Sequence, residues 1–302
     1  MGKLQYIREL GNQVAQLHAF FENQETAVAN SHQRQRLGYI DTVACNHLTH
    51  HSLIKFHKNV FSQTGQDGIL EEIFARLKID TGTFIEFGGW DGIYLSNCRY
   101  LALQGWKGIF IEANARKFQE LEGNYRDNSN IKAINKFVNF EGQDTVDEII
   151  KSCETETVDF LSIDIDGLDY KILETLNVKP KVILMEGGYV FSPYLNARIP
   201  DEIAQQNLSQ PLPILLSIAN NKGYTAVCFF QDLYLVRNDL AEVFFNYNEY
   251  PLDLYRDWYF GISSFGRDYL RNHYRCDCAD SIIKLLESQY LGRYEVNPLG
   301  YV

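Results

Sequence analysis

The chain predicts an α/β fold: a mostly parallel sheet covered by helices on both faces, with helical segments before and after it. Three observations predict it. Between residues 59 and 240, short apolar runs alternate with stretches of helical periodicity. The short runs are nearly continuous in apolar residues, as strands buried on both faces are. The last two runs, Tyr224–Phe230 and 233–237, are separated only by Gln231 and Asp232. A gap that short holds no crossover helix, so this pair is antiparallel.

Taken in order, residues 1–58 carry Leu4, Ile7, Leu10, Val14, Leu17 and Phe21 at steps of three or four. That spacing makes an amphipathic helix whose apolar face packs on its own domain or on a second copy of the chain. Strands are expected at Thr83–Phe87, 108–112, 131–138, 158–164 and 181–186, and helices at 94–103, Ala115–Tyr125, 145–152 and 170–176. Pro193, Pro200, Pro211 and Pro213 mark a loop between the fifth strand and the next helix. Residues 241–302 are aromatic-rich and mostly helical, with 281–290 the clearest helix.

Lys and Arg number 28 against 39 Asp and Glu, a net charge of −11. A surface that negative repels phosphate backbones and disfavours a nucleic-acid binder. The first residues lack the apolar run of a signal peptide, and no stretch approaches the roughly 20 apolar residues of a membrane helix. The six cysteines are scattered, with Cys276 and Cys278 the one close pair, and read as reduced thiols of a cytoplasmic protein. His47, His50, His51 and His57 crowd the segment before the core; His47 and His51 stand one helical turn apart, and a solvated helix face accounts for them without a metal.

The chemistry is concentrated at strand ends. The first strand runs Phe84-Ile85-Glu86-Phe87 into Gly88-Gly89-Trp90-Asp91-Gly92. In an open parallel sheet, ligands bind at the carboxyl ends of the strands, and glycines there let a ligand approach the main chain. The spacing is not G-x-G-x-x-G, and the acids Glu86 and Asp91 beside the turn suit a cationic ligand over a pyrophosphate. The second strand ends in Glu112, 24 residues after Gly88. An acid there can accept from both hydroxyls of a ribose, so a nucleoside is expected. The fourth strand leads into Asp164-Ile165-Asp166-Gly167-Leu168-Asp169 and the fifth ends at Glu186. Asp164 or Asp166 could take a proton from a substrate hydroxyl, and Asp164, Asp166 and Glu186 could together hold a divalent cation such as Mg²⁺. Capping of the following helix is the plainer role for Asp166 or Asp169.

These residues carry a resemblance. The runs Phe61-Ser62-Gln63-Thr64-Gly65-Gln66-Asp67-Gly68, Phe84 to Gly92 with Leu95-Ser96-Asn97, Gly105-Trp106-Lys107-Gly108 with Ile111-Glu112, Leu161 to Gly167, and Lys222-Gly223-Tyr224 resemble the FkbM-type family of S-adenosylmethionine-dependent methyltransferases over residues 60–240. The resemblance implies a class I methyltransferase fold, a seven-stranded sheet with the last strand antiparallel. It implies S-adenosylmethionine as cofactor, with Glu86, Gly88, Gly89, Asp91, Asn97, Glu112 and Asp164 as the binding set. Within that set the glycine turn meets the methionine part, Glu112 the ribose, and the Asp164 region the mouth of the site. It also implies O-methylation of a carbohydrate or glycosylated small molecule. Leu168 and Gly187-Gly188 depart from the family pattern on the acceptor side.

Three function classes follow. Methyl transfer to a sugar hydroxyl leads. A nicotinamide-dependent oxidoreductase lacks its phosphate-binding glycines. A non-catalytic assembly module would suit the helical ends, but the acids kept at the sheet edge argue against it.

Overall fold

A computed structural model describes residues 53–153, 157–165, 167–188, 191, 196–205 and 208–244. The expected amphipathic helix within 1–52 and its dimer contact, His47, His50, His51, Asp166, the Cys276–Cys278 pair and the C-terminal segment from 245 lie outside the described residues.

Seven strands form one sheet: β1 (Thr83–Phe87), β2 (Lys107–Glu112), β3 (Ile131–Asn135), β4 (Phe160–Ile163), β5 (Val182–Glu186), β6 (Tyr224–Phe230) and β7 (Asp232–Arg237). Their order is β3-β2-β1-β4-β5-β7-β6. The first five are mutually parallel where they pair, and β7 runs antiparallel to both β5 and β6. This is the expected seven-stranded sheet, parallel but for its last strand. Strand order reverses between β1 and β4, which opens a crevice at their carboxyl ends.

Alternation along the strands builds a core on each face. Phe84, Phe110, Phe160 and Tyr234 point to one side, where α1 (Gln66–Leu77) covers them with Ile69, Ile73 and Phe74. There the Phe74 ring meets Trp106 at 4.8 Å and Phe160 edge-on at 5.6 Å. Ile85, Ile109, Leu161, Ile183 and Leu235 point to the other side, under α4 (Val146–Ser152), α5 (Asp169–Thr175) and α7 (Leu212–Lys222). Each such side chain, wholly withdrawn from water, contributes about 1.5–3 kcal/mol. The core extends to both chain ends of the described part: Leu53 and Ile54, in a 3-10 turn over Leu53–Phe56, and Phe244 are buried in the α1-side cluster.

Local signals place the helices. Helix α3 (Ala115–Tyr125) starts where the Asn114 side chain accepts from the Arg116 and Lys117 N–H groups, and α4 starts at Thr145, whose hydroxyl accepts from Glu148 N–H. Helix α7 ends at Gly223, whose φ of +83° is left-handed. The proline-rich loop holds one further short helix, α6 (Asp201–Ala204), and is tied by the buried Gln210, which accepts from Ile199 N–H at 2.8 Å and donates to Ile199 O at 2.7 Å.

Three expected elements are shorter than the sequence pattern by more than one residue, among them the strand expected over 158–164, which is Phe160–Ile163. The helix expected over 94–103 is α2, only Arg99–Leu103. The Glu86 carboxylate captures the Ser96 hydroxyl and the Asn97 N–H, and Leu95 takes a φ of +58° to bridge Ser62, so the chain is fixed as a loop first. The strand expected over 131–138 stops at Asn135, whose side-chain amide donates to Glu112 O and Ala113 O. Among the described residues no helix is long and apolar enough to cross a membrane.

Candidate functional site

The turn after β1 is pinned on all sides. Gly88 has a φ of +69°, and a Cβ there would stand 2.2 Å from Asp164 O, so the tips of β1 and β4 meet at a glycine. Gly89 N–H donates to Ile111 O at 3.1 Å, and Gly92 N–H donates to Gly89 O at 2.7 Å. The Asp91 carboxylate accepts from Ile93 and Tyr94 N–H, and the Tyr125 hydroxyl donates to Gly92 O.

Two buried glutamates face this turn. Glu112 accepts from Trp90 N–H at 2.8 Å through Oε2 and from Asn114 N–H at 2.6 Å through Oε1. A carboxylate has about four acceptor positions, so about two remain for a ligand while the group is already oriented. Glu86 accepts from the Ser96 hydroxyl at 2.7 Å and from Asn97 N–H at 2.8 Å. Burial outweighs those bonds and pushes its carboxyl from an ordinary 4.5 up to about 7.

Glu86, Gly88, Glu112 and Asp164 line one pocket of about 560 Å³ at the carboxyl ends of β1, β2 and β4. Apolar side chains make the rest of its wall: Phe87 and Ile111 from the strands, Phe137, Val138 and Phe140 after β3, Leu168 before α5. Trp90 and Tyr94 stand at its rim. Lys136 also reaches the pocket, and its ammonium is paired with Asp144. The remaining cofactor candidates hold the frame: Gly89 and Asp91 shape the turn, and Asn97 donates through its side chain to Ser162 Oγ at 3.1 Å.

After β4, Asp164 is exposed and lines the pocket. Asp169 does not cap α5: the N-cap is Leu168 and no side chain caps it, while Asp169, the first helical residue, accepts from Ile165 N–H and Gly167 N–H at 2.9 Å each and ties down the loop before the helix. Glu186 ends β5 opposite Asp232 of β7 and does not line the pocket. Asp232 accepts from the Gln66 side chain at 2.6 Å; burial, with the charge of Asp169 behind it, pushes its carboxyl up to about 7. Among the described residues no three His, Cys, Asp or Glu side chains gather as metal ligands would. His57 lies in the N-terminal turn, its Nδ1 2.7 Å from Ile54 O, away from the pocket.

Sequence reasoning missed Trp90, Tyr94, Phe137 and Phe140 as pocket residues, whereas it set Leu168 beside the site through its departure from the family pattern. The available signal was large aromatic side chains just past strand ends.

No family model matches the sequence, and no curated protein is similar to it. Solved structures with partial likeness include an O-methyltransferase family protein from Burkholderia thailandensis, at 11% identity and a TM-score of 0.36, over 57% of this chain and 58% of that one. A TehB-like SAM-dependent methyltransferase from Corynebacterium glutamicum is similar at 9% identity and a TM-score of 0.37, over 70% and 98%. The N-terminal domain of EvdMO1, solved with SAH bound, is similar at 11% identity and a TM-score of 0.37, over 59% and 82%. At these scores the likeness is partial; the strand order and the pocket carry what can be said of function.

Proposed function

We propose that the pocket binds S-adenosylmethionine and that the chain transfers its methyl group to a hydroxyl oxygen, with a carbohydrate as the acceptor class. The observation that carries the reading is the pair of buried carboxylates, Glu86 and Glu112, on adjacent strand tips facing one apolar-walled pocket. Acids on two sides repel a pyrophosphate and favour a cationic, hydroxyl-bearing ligand, which disfavours a nicotinamide dinucleotide. The residues fit the cofactor: Glu112 keeps acceptor positions for two neighbouring hydroxyls, the main chain at Gly88 is open to close approach, and Phe137, Val138 and Phe140 offer an apolar surface for a base.

S-adenosylmethionine, when bound, supplies a methyl group already activated by positive sulfur. The protein's part is orientation, exclusion of water and removal of one proton. Glu112 anchors the ribose hydroxyls, and Glu86 complements positive charge at the β1 tip. Asp164, exposed where it lines the pocket, takes the proton that an acceptor hydroxyl loses as its oxygen gains the methyl. Asp166, two residues on, is the alternative base; Glu186 lies outside this pocket, so the expected cation set of Asp164, Asp166 and Glu186 does not fit it. The carbohydrate acceptor rests on the resemblance to FkbM-type methyltransferases.

The test is transfer of label from methyl-labelled S-adenosylmethionine to a panel of mono- and oligosaccharides, with and without EDTA. Labelled sugar ether with wild type and at least a tenfold lower turnover in Asp164→Asn, at unchanged cofactor affinity, is expected. No binding of S-adenosylmethionine or S-adenosylhomocysteine, or binding of NAD in their place, would end the reading.

A further inference from the structure

Trp90 occupies a position where a tryptophan is costly. Its φ is +47°, in the left-handed region that side chains other than those of Gly, Asn and Asp avoid. The residue is 45% exposed yet lines the pocket, so it gains little from burial in the core. Tyr94 at 37% and Phe137 at 72% are exposed in the same way, and they line the same pocket. Large aromatic surface left open around one cavity is surface that a ligand covers.

Two further contacts fix the Trp90 arrangement. The same residue that turns its indole to the pocket donates its main-chain N–H to Glu112 Oε2 at 2.8 Å. The Lys117 ammonium sits 4.6 Å from the indole centroid and donates to Glu120, so one cation–π contact holds the ring in place from helix α3. Strained backbone kept at a ligand-facing turn is a sign of function when its surroundings over-determine it.

We propose that Trp90 is a ligand-contacting and positioning residue. Its strained backbone aims one carboxylate oxygen of Glu112, and its indole, backed by Lys117, walls the hydroxyl-bearing part of the nucleoside. This rests on the cofactor reading above and adds a residue to it. The left-handed turn is therefore retained for binding at the expense of fold stability.

The experiment compares wild type with Trp90→Asn and Trp90→Phe in the full chain, using S-adenosylhomocysteine as probe. Asn accepts the left-handed conformation and keeps the N–H; Phe keeps the aromatic wall and the strain. Trp90→Asn is expected to raise Tm by about 2–4 °C while weakening S-adenosylhomocysteine at least tenfold. Trp90→Phe is expected to bind within about threefold of wild type and, with both proteins carrying Trp258→Phe to remove the third tryptophan, to lose most of the ligand-induced change in tryptophan fluorescence, since the Trp106 ring is buried away from the pocket. Wild-type-like affinity in Trp90→Asn, or lower Tm and weaker binding together in both variants, would overturn the proposal. Failure of wild type itself to bind would instead remove the cofactor reading.

Discussion

At the tip of β2 the Glu112 carboxylate is held by two main-chain N–H groups before any ligand arrives, and that preparation sets what its loss should do. Charge-assisted hydrogen bonds contribute roughly 1.5–3 kcal/mol. Glu112→Ala should therefore weaken S-adenosylhomocysteine at least tenfold by titration calorimetry, with thermal unfolding showing that the fold is kept. Glu86 makes a different prediction. With its carboxyl near 7, it is about half protonated at neutral pH in the empty pocket. A cationic ligand favours the ionised form, so binding at pH 7 should release protons, seen as a dependence of binding heat on buffer ionisation enthalpy. Glu86→Gln should abolish that dependence. An unchanged dependence in the variant would place the proton elsewhere.

Among the elements, Gly88 joins the tips of β1 and β4. A methyl group there meets both a left-handed φ and the Asp164 carbonyl at 2.2 Å. Gly88→Ala should lower Tm and ligand affinity together, the latter more than tenfold. Gly105, after α2, has a φ of +87° with open space where a Cβ would go. Gly105→Ala should cost about 1 kcal/mol of stability and leave affinity unchanged, which separates backbone strain from crowding at the site. The same elements show what could be read from sequence. Ala115–Tyr125 was legible because Asn114 caps an amphipathic repeat, and the antiparallel β6–β7 pair because its connection is too short for a helix. The helix at 94–103 was over-read because the Glu86 side chain, ten residues upstream, claims Ser96 and Asn97. No local pattern reveals that contact. Phe137 was read as strand for a related reason: its exposed ring lines the pocket, and sequence alone assigns it to the core, where only its neighbour Val138 packs. That Glu86, Gly88, Glu112 and Asp164 would lie together was legible since strand tips gather at one edge of a parallel sheet, and they line one pocket; Asp91 and Asn97 belong to the same tips but hold the turn.

For the whole molecule, two acids on the α1 side of the sheet edge, the buried Glu86 and the half-buried Asp232, both titrate near 7. Their carboxyls ionise in the unfolded chain near the ordinary 4.5 and 3.8, so above those values the unfolded state sheds protons that the folded state keeps. Their contribution is fully present below about pH 4 and is lost as pH rises towards 7, at about 1.4 kcal/mol per pH unit for each acid. Tm should fall between pH 5 and pH 8, and less steeply in Glu86→Gln; a Tm that rises over this range would contradict the burial of both groups. The central claim is that this edge grips a nucleoside by its ribose. A crystal structure with S-adenosylhomocysteine bound tests it most directly. Both ribose hydroxyls are predicted within about 3 Å of the Glu112 carboxylate oxygens, with the base against Phe137 and Val138. A ligand seated outside this pocket, or a ribose turned away from Glu112, would contradict it.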